Sequence, residues 1–484
     1  MSNRVRKGSR PIAIDGVRTA AALEAIGAVL GEDILLQDPD SLAHYGVDRS
    51  SGWQAAPCAV ARPRSTAEVQ SIVAIARQYR LAVVPSGGRT GLCGGAVAHS
   101  GELVLSLDRM NRLLSIDAGE PSVTVEAGMI TANLQALASA RGWFYPVDFA
   151  SSGSSQIGGN IATNAGGIRV IRYGMTRSQI TGLVVVDGRG EVLELNRGLM
   201  KNNTGPDFRH LFIGSEGVLG VITEATVKLL PAPAPSRVML FSLPAFGGIL
   251  RLLRAFSESI QINAFEFFSH NALEKVLARL GGVTPLGAAP FYALVEFESR
   301  QEADESRALE IFAQALAAGD VHDAVLAGSE SQARALWRLR ESISETLSPW
   351  KPWKNDISVR VSRMDAFIEK AEALIDEACG GLELVWYGHI GDGNIHLNIL
   401  KPQDLDALVF KERCAVAGSA VAGLLQEFGG SVSAEHGIGL LKRDYLCYTR
   451  SAAEISALRG LKAVFDPDGI MNPGKLLPQD APQP

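Results

Sequence analysis

The sequence predicts an α+β protein of two domains, on three observations. Its 484 residues exceed what one ordinary hydrophobic core supports. In the first half a helical pattern leads into a short apolar strand, a glycine cluster and a second strand. In the second half, beyond a proline-rich break "PAPAPS" at 231–236, a strand-forming run is followed by an amphipathic helical run.

Residues 1–52 read as a helical lead-in, in which "RTAAALEAIGAVLG" forms a helix closed by a glycine. Arg4, Arg6, Lys7 and Arg10 precede it without an acid, and a solvated tail is the reading adopted over a transit peptide. "RSTAEVQSIVAIARQYR" predicts the next helix, because Ser65 and Glu68 have capping-box spacing and Val69, Ile72, Val73 and Ala76 share one face. "LAVVP" is a short strand that enters "PSGGRTGLCGG", and "GELVLSLD" is another strand. Common nucleotide loops run from strand to glycines to helix, with the phosphate on the helix N-terminus. Here the helix comes first, and neither GxGxxG nor GxxxxGK[ST] occurs. Past the break, "YALVEFES" (292–299) predicts a strand and "DESRALEIFAQALAAG" (304–319) a helix.

Composition narrows the function. Forty-six basic against 52 acidic residues give a net charge of −6, with no basic run interleaved with aromatics, which argues against nucleic acid. The five cysteines are scattered without CxxC spacing, as expected in a reducing, cytoplasmic compartment. No apolar run approaches the roughly 18 to 20 residues of a membrane helix.

Three glycine tracts stand apart, at 85–95, 153–174 and 214–222, with Asn160, Thr163 and Asn164 interleaved. Such tracts either bind one extended ligand through backbone N–H groups, a pyrophosphate being the obvious anion, or make three unrelated turns. Histidines also cluster: His389 and His396 in "YGHIGDGNIHLN" and His436 in "SAEHGIG". If 391–394 form a hairpin loop, Ile390 pairs with Ile395 and His389 faces His396, with Asn398 on the same face. Two imidazoles so placed either hydrogen-bond or converge on a cation, for which Glu435 offers a third ligand as in His₂Glu zinc sites.

"PSGGRTGLCGG", "IGGNIATNAGG", "RYG", "NNTGPDFRHLFIGSEGVLGVITEATVKLLP" and "FDPDGIMNPGKLLP" together resemble the FAD-linked oxidoreductases of the vanillyl-alcohol-oxidase superfamily, over about residues 40 to 478. The resemblance implies a two-lobed PCMH-type FAD-binding domain (53–233) and a cap domain with an antiparallel sheet flanked by helices (234–440). A C-terminal segment (441–484) would return to the flavin. It implies that Pro85, Gly87, Gly88, Arg89, Thr90 and Gly91 cradle the FAD pyrophosphate. Gly158, Gly159, Asn160, Thr163, Asn164, Gly217 and Ile222 would line the rest, and Asn472 would reach the ring. Some members tether the flavin through a histidine in the first loop; this loop has none before His99, so non-covalent FAD is expected.

"GHIGDGNIHLN" and "SAEHGIG" resemble the metal-dependent D-2-hydroxyacid dehydrogenases of that superfamily. The resemblance implies that His389, His396 and Glu435 bind zinc or manganese and that His436 is the catalytic base. Asn398, with Arg340 and Ser344 in "LWRLRESISETL" and Lys354 in "WKNDISV", matches the 2-hydroxyglutarate type, whose residues meet substrate carboxylates. The alternative is that Arg340 and Lys354 are exposed or pair with Glu341 or Asp356. The resemblance further implies an electron-transfer flavoprotein or a quinone-linked carrier as acceptor, and leaves a homodimer open. D-lactate dehydrogenases, glycolate oxidase flavin subunits and a non-redox flavin transferase are the rival functions.

Overall fold

The computed structural model describes residues 15–50 and 52–478; the basic residues Arg4 to Arg10 lie outside them. The α+β expectation is met. The lead-in helix runs Gly16–Leu30, with the Asp15 carboxylate accepting from the Val17 and Arg18 N–H groups. Gly31 closes it at φ +91°, a conformation only glycine adopts cheaply. The helix Thr66–Tyr79 begins at Ser65, whose Oγ accepts from the Glu68 N–H at 3.2 Å. The Glu68 carboxylate reaches back one residue further than a capping box requires, accepting from Arg64 N–H at 2.7 Å. Val69, Ile72, Val73 and Ala76 are its buried face.

Two compact units make up the chain. The first takes the described residues up to Ala165, then Met175–Ala232, and the described residues from Glu435. A four-stranded sheet in it has the order Leu35–Leu36, Ala59–Ala61, Leu103–Ser106, Val83–Ser86, the last three parallel. Alternation divides these strands. Ala59, Ala61, Val83, Leu103 and Leu105 enter the main core, while Val60, Val84 and Val104 pack on the opposite side. A five-stranded antiparallel sheet follows the order Leu113–Asp117, Ser122–Glu126, Gly220–Lys228, Ile180–Asp187, Val192–Leu195. The C-terminal tail extends the first sheet: Val83 N–H donates to Ile470 O and Asn472 N–H to Val83 O, each at 2.8 Å.

The second unit takes Gly166–Gly174 and Pro233–Ala434. Its seven-stranded sheet is antiparallel throughout, in the order Asp323–Leu326, Ser236–Leu243, Phe291–Glu298, Ile262–Ser269, Leu384–His389, Asn394–Ile399, Trp353–Ser358. One face packs Ala264, Phe268, Tyr292, Val385 and Tyr387 against residues of the helices His270–Leu280 and Glu330–Glu341. Phe265, Phe267 and Phe297 lie on the other face, edge-to-face or tilted against Phe246 and Phe256. The proline-rich break is shorter than its composition implies, since Pro231 pairs with Trp143 and Ser236 already belongs to the sheet.

Residues 166–174 fall inside the second glycine tract yet pack with this unit. Ile168 joins its core, and Arg172 pairs with Glu298 at 2.6 Å. The expected division at 233 and 234 does not anticipate that excursion, which rests on charges supplied from more than a hundred residues away.

The histidine hairpin differs from expectation. Tyr387, not His389, stands opposite His396, and a tight turn over Ile390–Asp392 leads through Gly393, at φ +85°, into Asn394. The pairing of Ile390 with Ile395 is therefore not formed. Gly393 supplies the left-handed residue that lets the loop close before Asn394, and the Asp392 carboxylate accepts from the Asn394 N–H at 3.2 Å.

The Ser65→Ala variant should lose about 1 kcal/mol of unfolding free energy, the usual cost of an N-cap hydroxyl. Urea titration followed by far-ultraviolet circular dichroism would measure it.

Candidate functional site

In the first unit, strand Val83–Ser86 delivers the chain into the first glycine loop. A Cβ on Gly88 would overlap the Ser154 carbonyl oxygen, so only glycine lets the two glycine tracts approach here. Gly87 lies against Gln156, Thr90 is half-buried, and Gly91 accepts the Arg49 N–H through its carbonyl at 2.9 Å. Arg89, at φ +55°, is already engaged: it donates to Gly87 O at 3.1 Å, lies 4.5 Å over the Tyr45 ring, and stands 3.9 Å from Asp108. Its guanidinium thus ties the loop to Tyr45 and Asp108.

The second tract forms the helix Ile157–Thr163. Gly158 is a packing glycine, its N–H on Ala127 O at 2.7 Å. Asn160 donates to Thr131 Oγ1 at 2.7 Å, Thr163 back-bonds to Gly159 O at 3.1 Å, and Asn164 caps the helix at φ +50°. Above Gly159, by contrast, a Cβ would meet nothing within 4 Å. Ile222 is a buried core residue opposite Val185.

The third tract holds a residue that motif reasoning passed over. Glu216, buried and at φ +51°, accepts the N–H groups of Ile438 and Gly439 on its two carboxylate oxygens, both at 2.7 Å. Burial pushes its pKa up, and the two N–H groups oppose that shift. Its carbonyl accepts from Asn472 Nδ2 at 2.7 Å, which also donates to Gly95 O at 2.9 Å. Gly217 follows at φ +75° against Pro85. One acid therefore joins the glycine loop, the tail, and the segment that begins with Glu435 and His436, themselves 3.7 Å apart. The signal was an isolated acid between glycines in "GSEGVLG". Ser86 Oγ, Gln156 Oε1 and Asn472 Oδ1 are buried without hydrogen-bond partners, and Lys475 is buried with its pKa pushed down to about 8 by desolvation. These orphaned polar atoms and the open space at Gly159 fit an extended polar cofactor.

In the second unit the sheet gathers a different set. His389 and His396 share a face diagonally, ring centroids 5.3 Å apart and nearly perpendicular. Asp356 stands opposite His396 with an oxygen 3.9 Å from Nδ1, and accepts from Asn394 Nδ2 at 3.0 Å. Lys354 stands opposite Asn398. Lys354 is exposed; its ammonium donates to Ser344 Oγ at 3.3 Å, and desolvation lowers its pKa. Asn398 is buried, its Oδ1 without a partner.

Arg340 pairs with neither Glu341 nor Asp356. It is buried, 4.8 Å over the Tyr387 ring, with Nη2 2.8 Å from Glu266 Oε2. That ion pair is off-axis, so Nε and Nη2 remain donors without an aligned hydrogen bond. Glu266 was missed; its signal was a lone acid inside the apolar run "INAFEFFS". Ala434 ends this unit with its N–H on Asp356 O at 3.4 Å, and the chain continues directly into Glu435 and His436.

Comparison with known proteins agrees with both halves. The family described as "FAD binding domain" matches residues 57–196, and "FAD linked oxidases, C-terminal domain" matches 232–476. The D-2-hydroxyglutarate dehydrogenase of Stutzerimonas stutzeri (strain A1501) is 49% identical over 457 residues, covering 94% of this chain and 98% of that one. That of Xanthomonas citri pv. viticola is 50% identical over 450 residues, 93% and 95% of the two chains.

The chain belongs to the FAD-linked D-2-hydroxyglutarate dehydrogenase family.

The enzyme is thus an FAD-dependent oxidoreductase acting on a CH–OH donor. Among solved structures, p-cresol methylhydroxylase superposes with a TM-score of 0.78 at 17% identity, over 97% and 99% of the chains. Alkyldihydroxyacetonephosphate synthase superposes at 0.71 and 18% identity, over 94% and 84%. At such identity these two show the shared fold alone. Among the described residues of the enzyme no helix is long and apolar enough to cross a membrane, and the five cysteines are free thiols.

Two alanine variants separate a packing glycine from one that borders open space. Gly88→Ala should lower both thermal stability and flavin content. Gly159→Ala should leave the melting of flavin-stripped protein unchanged, yet weaken FAD binding at least about tenfold, since an atom added in open space costs nothing until a ligand enters it. Flavin titration of both stripped variants would check this.

Proposed function

We propose that the enzyme oxidises D-2-hydroxyglutarate to the corresponding 2-oxoacid, with a divalent metal, zinc or manganese, held by His389, His396 and Glu435. One observation carries this reading: a single sheet face bears both histidines and Lys354 opposite the buried Asn398, and the buried Arg340 of the helix Glu330–Glu341 lies over Tyr387 of that face with donors unaligned. Imidazole and carboxylate donors suit either metal. Beyond its pairing with Glu266, the buried Arg340 keeps donors without an aligned hydrogen bond, for which a substrate carboxylate would be an acceptor, and the exposed Lys354 offers a second cation to a dicarboxylate.

In this reading Arg340, Lys354 and Ser344 receive the distal carboxylate and Asn398 orients the substrate. His436 removes the hydroxyl proton, which an imidazole does near neutral pH. Bound FAD supplies the hydride acceptor, and the metal supplies Lewis acidity towards the hydroxyl and α-carboxylate. FAD is proposed to be held without a covalent bond, because the loop from Pro85 to Gly95 contains no histidine and His99 is stacked on Trp53. The proposed electron acceptor is an electron-transfer flavoprotein or a quinone-linked carrier.

The test is a hydroxyacid screen under dye reduction, on protein of measured metal content. D-2-hydroxyglutarate should be the best substrate, D-malate next and D-lactate poor; a wild type that prefers lactate would sink the reading. Lys354→Met should raise KM for the diacid far more than for D-lactate. A non-redox transferase of the same fold would leave the flavin coloured in anaerobic mixtures.

Chelation, or His396→Ala, should abolish turnover while the flavin absorption persists. Replacing His436 by asparagine should cost about 10²- to 10⁴-fold in kcat with metal retained. Metal analysis beside steady-state kinetics would separate the two effects.

A further inference from the structure

Glu266 lies in the middle of the strand Ile262–Ser269, every residue of which is buried. Its carboxylate has no solvent exposure and sits between Phe265 and Phe267 in sequence. The register sets Glu266 opposite His389 in the next strand. Oε1 lies 2.8 Å from His389 Nδ1, and Oε2 lies 2.8 Å from Arg340 Nη2. An acid buried this deeply costs several kcal/mol unless partners compensate, and the imidazole and the guanidinium provide that compensation.

We propose that Glu266 is a positioning residue shared between the metal-site histidine and the substrate arginine; this rests on the metal and diacid reading above. An ionised carboxylate can only accept a hydrogen bond, so the Nδ1 that faces it carries the proton. The lone pair of the neutral ring then sits on Nε2, which becomes the ligand atom, and the carboxylate raises its basicity. The other carboxylate oxygen supplies counter-charge to Arg340, whose guanidinium lies over Tyr387 with Nε and Nη2 left without an aligned hydrogen bond. One carboxylate thus serves two clients. Electron density drawn towards Arg340 is withdrawn from His389, and the two partners compete.

That competition gives opposite signs for two variants, which a merely structural role would not. Full-length flavoprotein is stripped of metal with a chelator and titrated with Mn²⁺ by calorimetry, without substrate. Glu266→Gln should weaken Mn²⁺ binding about 10- to 100-fold, the usual effect of losing a carboxylate behind a metal-site histidine. Arg340→Met should tighten it severalfold, although Arg340 holds no metal, because Glu266 is left to His389 alone. Flavin absorption and melting temperature verify that each variant is folded. If Glu266→Gln does not fold, the sign for Arg340→Met decides alone. Unchanged affinity in Glu266→Gln, or weakened affinity in Arg340→Met, overturns the proposal while leaving the metal site standing. A wild type with no saturable Mn²⁺ binding overturns the metal reading itself, and this proposal with it.

Discussion

The antiparallel register of four neighbouring strands, Ile262–Ser269, Leu384–His389, Asn394–Ile399 and Trp353–Ser358, is the constraint on which the second unit depends. It sets Glu266 opposite His389, Tyr387 opposite His396, Asp356 opposite His396 and Lys354 opposite Asn398. Because side chains alternate with a period of two, all of these share one face. A slip of one residue in the first strand would bring Phe265 and Phe267 onto that face and drive Glu266 into the aromatic packing of the other. The apolar strand residues therefore police the polar ones.

Two buried carboxylates organise the enzyme in different ways. Glu216 is held by backbone N–H groups and fixes the chain just after His436 relative to the glycine loop and the tail. Glu266 is held by side chains, one imidazole and one guanidinium. Backbone donors suit a residue that must define a loop path. Side-chain donors suit one that must orient movable groups. In both cases the desolvation cost is offset only by partners from distant segments, so each acid also makes its fold cooperative.

The glycines divide along physical lines. Gly88 and Gly158 permit close approach of backbone, Gly217 and Gly393 take positive φ, and Gly159 borders open space. The asparagines and Thr163 of the second tract, which look like ligand groups in sequence, mainly terminate and brace a short helix. A glycine tract thus mixes scaffolding with contact surface, and composition alone cannot sort the two.

What the sequence determined by itself was local. The capped helix at Ser65, the strand into the glycine loop, and the turn chemistry of "GDGN" follow from neighbours within a few residues, where propensity and periodicity act. Even the shared face of His389 and His396 survived an incorrect hairpin pairing, because the observed register differs by an even step and an even step keeps parity. The long ordered motifs also sufficed to place the chain in its family. Only the tertiary structure decided the partners: Glu266 for Arg340 and His389, Glu216 for the segment after His436, and the second unit for residues 166–174. Those contacts join residues tens to hundreds of positions apart, and they arise because a buried charge must find an opposite charge or a donor wherever the fold provides one. No local pattern encodes which one that will be.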